Sequence, residues 1–265
     1  MSASSMAASS EADWMKFLAR TGYAAKGVVY LVVGGLAVQG ISSGGSDGAL
    51  SKIAQQPFGK VLLSLVAIGL LAYAAWRFVQ GFADPENEGD DATSIGKRVG
   101  YIASGAVYVG LAVSAAQIVF ASGGGGGGSQ GLVARVLELP FGQFLVGAVA
   151  VGILLGGLHQ LYQAISAGFT EDFALGKMSA TEQTWAERAG RIGHAARSVV
   201  YFVIGWLFID AALSSTSSEV GGIGKALSTL QEQPYGPWLV GAAGVGLVCY
   251  GVYCFVMAKY RKAVS

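Results

Sequence analysis

The feature that most constrains this chain is a short phrase that occurs three times, each time at the start of a hydrophobic stretch. Each copy has an arginine, a glycine two residues later and a tyrosine ten residues after the arginine, and the copies run from Arg20 to Tyr30, Arg98 to Tyr108 and Arg191 to Tyr201. A second phrase follows each copy and reads Pro57-Phe58-Gly59, Pro140-Phe141-Gly142 and Pro234-Tyr235-Gly236. Motifs that recur in a fixed order at long period indicate an internal repeat.

The hydrophobic stretches predict helices that cross a membrane. A spanning helix needs about 20 mostly apolar residues, and six stretches meet this condition: 22–40, 58–82, 99–120, 141–166, 193–213 and 235–258. Charged residues make up only 12% of the chain and the mean hydropathy is +0.53. Each even-numbered span begins at the second phrase, where proline suits the first turn of a helix.

The distribution of basic residues predicts an orientation. Of the 17 lysine and arginine residues, 13 flank one set of span ends: Lys16, Arg20, Lys26, Arg77, Lys97, Arg98, Lys177, Arg188, Arg191, Arg197, Lys259, Arg261 and Lys262. The other four lie in the opposite connections. Because basic residues collect on the cytoplasmic side of a membrane, both termini are expected in the cytoplasm. A multi-pass protein of the bacterial inner membrane is the expected location.

Two spans per repeat send all three repeats into the membrane in the same direction. The predicted fold is therefore an all-α integral membrane protein, with six transmembrane helices as three parallel two-helix repeats around a pseudo-threefold axis. A linear row of repeats is the alternative, although it would give similar sequences unlike surroundings.

The connections within the repeats share a third element. Apolar residues spaced i,i+3 predict a short helix before each proline, at 49–56, 132–139 and 226–233. These helices are expected at the interface on the outer face, as a cap over the bundle or as a surface that recognises lipid or a partner. A capping-box pattern from Thr184 to Glu187 also predicts a short helix before the fifth span.

The repeats divide the chain into membrane and connecting segments. We expect a disordered tail over 1–13, repeat one over 14–83, an acidic linker over 84–96 and repeat two over 97–168. A second linker covers 169–189, repeat three covers 190–260, and a short tail covers 261–265. Both linkers are expected in the cytoplasm, where their acidic residues are solvated.

Two tiers of polar residues recur at equivalent positions inside the spans. Tyr30, Tyr108 and Tyr201 lie about 15 Å beyond the repeat-start arginines, and they predict either a polar ring on the axis or hydrogen bonds between helices. Nine residues further on, Gln39, Gln117 and Asp210 form a second tier. Asp210 is the one acidic residue inside a predicted span, so a cation or proton site is one hypothesis, and a solvated position at the outer interface is the other.

The ends of the spans carry further candidates. Arg20, Arg98 and Arg191 are expected either to bind lipid phosphate or to anchor the orientation of the spans. His159 and His194 fall at interface positions otherwise held by aromatic residues, and nothing in their spacing predicts a metal or haem site. Recurrent small residues, such as Gly69, Gly152 and Gly246, favour close helix packing. No cofactor is expected.

The triplicated motifs resemble those of the bacterial family named domain of unknown function 1206, which is similar in carrying three two-helix membrane repeats. The resemblance covers about residues 14–260. It implies the fold and a membrane location, and it implies neither a reaction nor site residues.

These patterns favour a protein without enzymatic activity. No acid–base or nucleophile constellation occurs in the sequence, and a net charge of +1 argues against a nucleic-acid partner. We expect a bundle that binds membrane lipids or a membrane protein partner, or that acts as a scaffold. The alternative is a small channel or transporter with a path along the pseudo-threefold axis.

Overall fold

The structure is a computed structural model that describes residues 3–39, 59–84, 91–120, 133–134, 136–218 and 220–262. Over these residues it contains seven α-helices: α1 (Ala3–Val38), α2 (Gly59–Phe82), α3 (Ala92–Phe120), α4 (Gly142–Ser166), α5 (Ala180–Ser214), α6 (Ile223–Gln231) and α7 (Gly236–Tyr260). All but the short α6 are long and apolar enough to cross a membrane, one for each predicted span. Helix α1 includes residues 3–13, for which the sequence predicts a disordered tail.

The long helices pack as an incomplete ring. From one end of this ring to the other, successive helices in contact are α3, α2, α1, α7, α5 and α4. A closed pseudo-threefold ring needs a sixth interface, between α3 and α4, and over the described residues those two helices make at most a marginal contact. The most apolar stretches of α3 and α4 are accordingly only 24% and 22% buried, whereas the other four are between 50% and 56% buried. The pseudo-threefold arrangement is therefore not confirmed, because repeat two is open.

The second phrase of the repeat forms the turn that starts a span. Phe141 and Tyr235 have φ of 65° and 64°, and each is followed by a glycine on which the helix begins. A Cβ on Gly142 would lie 2.0 Å from the carbonyl oxygen of Val136, and a Cβ on Gly236 would lie 2.0 Å from that of Gln231. Glycine is thus required because the preceding turn packs against the backbone. In these two copies the proline lies two residues before the helix, so the prediction that it occupies the first turn is wrong, and the predicted span starts at 141 and 235 are one residue early.

Helix α6 occupies the third of the predicted short-helix positions. Its Ala226 and Leu227 are buried, and Leu230 packs beside the core, so the apolar edge faces the bundle. The equivalent segment of repeat two is helical at 133–134 and 136–137. The segment 49–56 lies outside the described residues. Location of these helices at a membrane interface is not confirmed.

The connection between α4 and α5 packs into the bundle. Two 3₁₀ helices, Gly168–Asp172 and Leu175–Lys177, follow α4. Phe169 and Phe173 are 3% and 1% exposed, so this linker is not fully solvated as the sequence suggests. A capping box of Ser179 and Glu182 then begins α5. The predicted box at 184–187 is wrong, because α5 is one continuous helix from Ala180.

Candidate functional site

Three basic side chains come together near the end of the bundle that carries Arg20, Arg98 and Arg191, which we call the arginine end. Lys26 and Arg197 stand at equivalent positions of the first phrase, six residues or about 9 Å of helix beyond the repeat-start arginine. Arg77 comes from the last turns of α2. Lys26, Arg77 and Arg197 are called the cation cluster below. All three are among the 13 basic residues predicted to flank the spans, and the burial of Lys26 and Arg197 corrects that prediction.

Lys26 is enclosed by tyrosine rings. Its side chain is 3% exposed, and its ammonium donates a hydrogen bond to the Tyr73 hydroxyl at 3.1 Å. The ammonium lies between 4.8 and 5.9 Å from the ring centroids of Tyr23, Tyr73, Tyr108 and Tyr250. A desolvated cation over an aromatic face gains up to about 2 kcal/mol. The rings therefore lower the cost of burying Lys26 without neutralising its charge.

Arg77 shares the Tyr73 hydroxyl with Lys26. Its Nε and one terminal nitrogen donate to that hydroxyl at 2.9 and 2.6 Å, and its other terminal nitrogen donates to Gln80 at 3.0 Å. A hydroxyl oxygen has two lone pairs, so it cannot fully accept three N–H donors. The cluster therefore has donor capacity that an additional acceptor would satisfy.

Arg197 completes the cluster on the other side of Lys26. It is 6% exposed, and its guanidinium lies 4.3 Å from the ring centroid of Tyr250. Because the Lys26 ammonium lies 5.2 Å from the same centroid, the two cations share one tyrosine. Arg197 also donates to the Tyr201 hydroxyl. Its Nε is buried and has no hydrogen-bond partner among the described residues.

Gln160 links Arg197 to His194. The Gln160 amide satisfies both neighbours only when its oxygen accepts from Arg197, at 2.5 and 3.1 Å, and its nitrogen donates to His194 Nδ1 at 2.5 Å. The imidazole proton of His194 then lies on Nε2, because Nδ1 acts as the acceptor. His194 Nε2 is buried without a partner among the described residues. The ring is stacked on Phe169, with centroids 5.0 Å apart, so the histidine is part of the packed core.

Negative charge is missing from this site. Over the part of the chain that the structure describes, no carboxylate lies within ion-pair distance of Lys26, Arg77 or Arg197. A basic side chain in a spanning helix is costly and normally pairs with an acid or a carbonyl. Here the partners are tyrosines and amides, which carry no charge. Chemically, the arrangement can bind an anion that offers several acceptor oxygens, because Arg and Lys together supply charge and directed donors.

The predicted tyrosine tier contributes to this cluster. Tyr30 and Tyr108 are buried and Tyr201 is half-buried. Tyr30 and Tyr201 lie 5.4 and 4.9 Å from the guanidinium of Arg197, and Tyr108 lies 5.4 Å from the ammonium of Lys26. The three tyrosines therefore face buried cations, and the structure brings all of them to one site.

The second polar tier does not converge. Gln39, Gln117 and Asp210 are all exposed in the structure. They lie towards the end of the bundle opposite the cation cluster, which we call the proline end. No common site forms from these three residues.

Two of the repeat-start arginines bind the ends of other helices. Arg98 donates to the carbonyls of Gly81 and Phe82, at 3.0 and 3.3 Å. Arg191 donates to the equivalent carbonyl of Ile165 at 2.9 Å and forms an ion pair with Glu187. A cation near a helix C-terminus is stabilising because the last carbonyls lack partners within the helix. Arg20 is exposed.

Metal-binding groups are not gathered anywhere in the described residues. No group of three or more His, Cys, Asp or Glu side chains could hold an ion there. His159 is exposed and lies 3.4 Å from the amide of Gln163. Cys254 is buried and Cys249 is half-buried, and both are free thiols.

The fold defines a class of protein. Six apolar helices arranged in three tandem repeats are those of a multi-pass helical membrane protein. The chain belongs to the family described as Domain of Unknown Function (DUF1206), whose pattern matches residues 21–84, 99–167 and 192–261. It is 32% identical to the Uncharacterized protein YxxB of Bacillus subtilis (strain 168) over 252 residues, which cover 94% of this chain and 92% of that protein. No solved structure matches the chain.

The cation cluster was missed by sequence reasoning although a signal for it exists. When the three copies of the first phrase are aligned, Lys26 and Arg197 fall at the same position, which Ser104 occupies in repeat two. Two basic residues at one position inside an apolar span, each four residues before a tyrosine, are a recurrent feature of the repeat. Counting them by their distance from the span ends concealed this pattern.

Proposed function

We propose that this protein is a non-enzymatic membrane protein that binds an anionic lipid, with the lipid phosphate in the cation cluster. The observation that carries this proposal is a set of three basic side chains at one buried site, with tyrosines and amides as partners and no carboxylate in contact over the described residues. The unsatisfied Nε of Arg197 and the excess donors at Tyr73 support it further.

A lipid is favoured over a soluble phosphate because of what lies beside the cluster. Tyr108 on α3 and Gln160 on α4 border the cluster on the two sides of the open repeat. The outer faces of those helices are apolar, with Val107 and Leu155 each more than 60% exposed. A membrane places acyl chains against these faces, so a ligand with a phosphate and acyl chains matches both surroundings.

The experiment is to measure lipid binding by the full-length protein in nanodiscs and by native mass spectrometry. Phosphatidylglycerol should remain bound and phosphatidylcholine should not. Inorganic phosphate is added in a separate arm, because stabilisation by phosphate alone would assign the site to a soluble anion. Arg197→Gln should weaken retention by about tenfold or more, the scale of one lost charged hydrogen bond.

A matched control keeps this test specific. Arg188 lies on the same helix and is exposed over Trp185, so Arg188→Gln removes a charge without touching the cluster. Retention of phosphatidylglycerol should be unchanged in this variant. Equal losses in both variants, or no preference between the two lipids, would contradict the proposal.

We also propose that the arginine end faces the cytoplasm of a bacterial cell and that both termini lie there. Removing the buried cluster from the count still leaves a clear excess of basic residues at this end, which supports the orientation. Reporter fusions after residue 91 and after residue 262 should be active only as cytoplasmic reporters. A fusion after residue 219 should report the opposite side.

Conduction of an anion is the second candidate function, and the same buried cations favour it. A path for anions through a membrane needs positive charge along it, and the cluster supplies three basic side chains inside the bundle. Against this candidate, the rings of Tyr73 and Tyr108 pack with centroids 4.6 Å apart, and those of Tyr30 and Tyr250 pack 4.8 Å apart. Chloride and phosphate flux into liposomes that depends on Arg197 would favour conduction over lipid binding.

A further inference from the structure

Equivalent glycines behave differently in the three repeats. A Cβ on Gly22 would lie 2.5 Å from the Tyr73 Cα, and a Cβ on Gly193 would lie 2.6 Å from the Tyr250 Cα. These contacts hold the two helices of repeats one and three together. The equivalent residue of repeat two is Gly100, and nothing lies within 4 Å of the same position there.

A second set of small residues shows the same difference. A Cβ on Gly69 would lie 2.4 Å from the Ala25 Cβ, and a Cβ on Gly246 would lie 2.2 Å from the Ala196 Cβ. In repeat two the equivalent glycine is Gly152, which again meets nothing within 4 Å. Its expected partner, Ala103, is exposed on α3.

Repeat two therefore carries the residues of a closed hairpin in an open arrangement. Close approach of two helices requires small residues on both, because larger side chains keep the backbones apart. Repeat two has such a surface at the positions that pack together in repeats one and three: Gly100, Ala103, Gly152 and Gly156. The segment that fits the exposed face of α3 is thus α4 of the same chain.

We infer that α3 and α4 close onto each other through these small residues, and that this closure controls access to the cation cluster. The access role rests on the proposed lipid-binding function, whereas the closure itself does not. The closed hairpin places Gly100 against Gly156 and Ala103 against Gly152, as in repeats one and three. Tyr108 on α3 and Gln160 on α4 border the cluster. Closing the gap between these two helices therefore separates the cluster from the surrounding lipid.

Disulfide trapping tests the closure in the full-length protein in native membranes. Cysteines replace Val107 on α3 and Val149 on α4, one turn along the same faces, in a background with Cys249→Ser and Cys254→Ser. Both valines are more than half exposed, so the open form accommodates both changes, and their equivalents in repeat one, Val29 and Val66, are buried in one cluster. A protease site in the glycine run 123–128 lets a non-reducing gel show whether the fragments stay joined. Most of the protein should be joined after mild oxidation.

A bulky residue placed between α3 and α4 should reduce disulfide formation, and this gives a matched comparison. Gly152→Leu should block closure and lower the joined fraction by about tenfold, because it fills the contact that Ala103 would make. Gly147→Leu is the control. Gly147 is also open and lies on the same helix, but its equivalent in repeat three, Gly241, meets nothing within 4 Å either. Absence of the disulfide, or equal yields in both leucine variants, would overturn closure of this kind.

Lipid exchange tests the access role separately. The trapped protein should exchange fluorescent phosphatidylglycerol at least about tenfold more slowly than the reduced protein. An unchanged exchange rate with an intact disulfide would overturn the access role while closure stands. If the open protein retains no phosphatidylglycerol at all, the proposed lipid function fails, and the trapping result still decides the closure.

Discussion

Among single residues, Tyr73 does most to hold the cation cluster together. Its hydroxyl accepts from both Lys26 and Arg77, and its ring contacts Tyr23 and Tyr108 edge to face. These contacts join α1, α2 and α3 at one side chain. Removing the hydroxyl alone leaves the ring packing in place, so a single oxygen atom can be tested.

Tyr73→Phe should destabilise the protein by about 1–3 kcal/mol, because two buried basic side chains then lose a hydrogen-bond acceptor. The free energy of unfolding by denaturing detergent in mixed micelles measures this. Tyr162→Phe is the control, since Tyr162 is 63% exposed on α4. Equal stability of the two variants would show that the Tyr73 hydroxyl contributes nothing to the bundle.

Residue depth explains why the cluster was missed in the sequence. Lys26 and Arg197 lie only six residues from a repeat-start arginine, which is close enough to count as flanking charge. Whether such a side chain extends to the interface or turns inward depends on the rotation of its helix, and neighbouring helices set that rotation. The tyrosine tier was predicted because its recurrence can be read directly from the amino-acid sequence.

At the scale of elements, the turn before the fourth and sixth spans explains the second phrase of the repeat in those two copies. The aromatic residue takes a left-handed conformation, and the glycine after it packs against a carbonyl of the preceding short helix. Gly142→Ala should therefore destabilise the protein by about 1–3 kcal/mol, as expected when an added methyl group meets fixed backbone.

Gly241→Ala is the comparison for that turn. Gly241 lies within α7 and nothing lies within 4 Å of an added Cβ, so alanine should be neutral or stabilising by less than about 1 kcal/mol. Thermal unfolding of both variants in detergent checks the pair. A loss at Gly241 as large as the loss at Gly142 would rule out the turn as the cause.

Helices were easier to predict than their connections. Six spans follow from hydropathy because the requirement for about 20 apolar residues is local. The linker after α4 was expected in solvent, yet Phe169 and Phe173 are buried against the rings of His194 and Tyr253. The apolar residues of this linker, which also include Leu175 and Met178, were the available signal. The start of α5 was misplaced because two capping-box patterns occur within five residues, at Ser179 and at Thr184.

For the whole molecule, the first and last spans form the central interface. A Cβ on Gly34 would lie 2.6 Å from the Gly244 carbonyl oxygen, and a Cβ on Gly244 would lie 2.8 Å from that of Gly34. This reciprocal contact joins repeat one to repeat three, while the two helices of repeat two form the two ends of the incomplete ring. The repeats are thus similar in sequence and unequal in packing.

Gly34→Ala should destabilise the assembled bundle by about 1–3 kcal/mol, because the added methyl group meets the backbone of α7. Gly35→Ala tests the adjacent position, where nothing lies within 4 Å of an added Cβ. The two variants differ by one place in the sequence, so helix propensity affects them alike. Similar stability of both variants in detergent unfolding would contradict the observed α1–α7 interface.

The binding of an anionic lipid in the cation cluster is the central claim, and a structure of the full-length protein in phosphatidylglycerol nanodiscs tests it most directly. The account predicts phosphate density within hydrogen-bond distance of Arg197 Nε and the Lys26 ammonium. Continuous protein density at that place, with a carboxylate of the chain paired to Arg197, would contradict it.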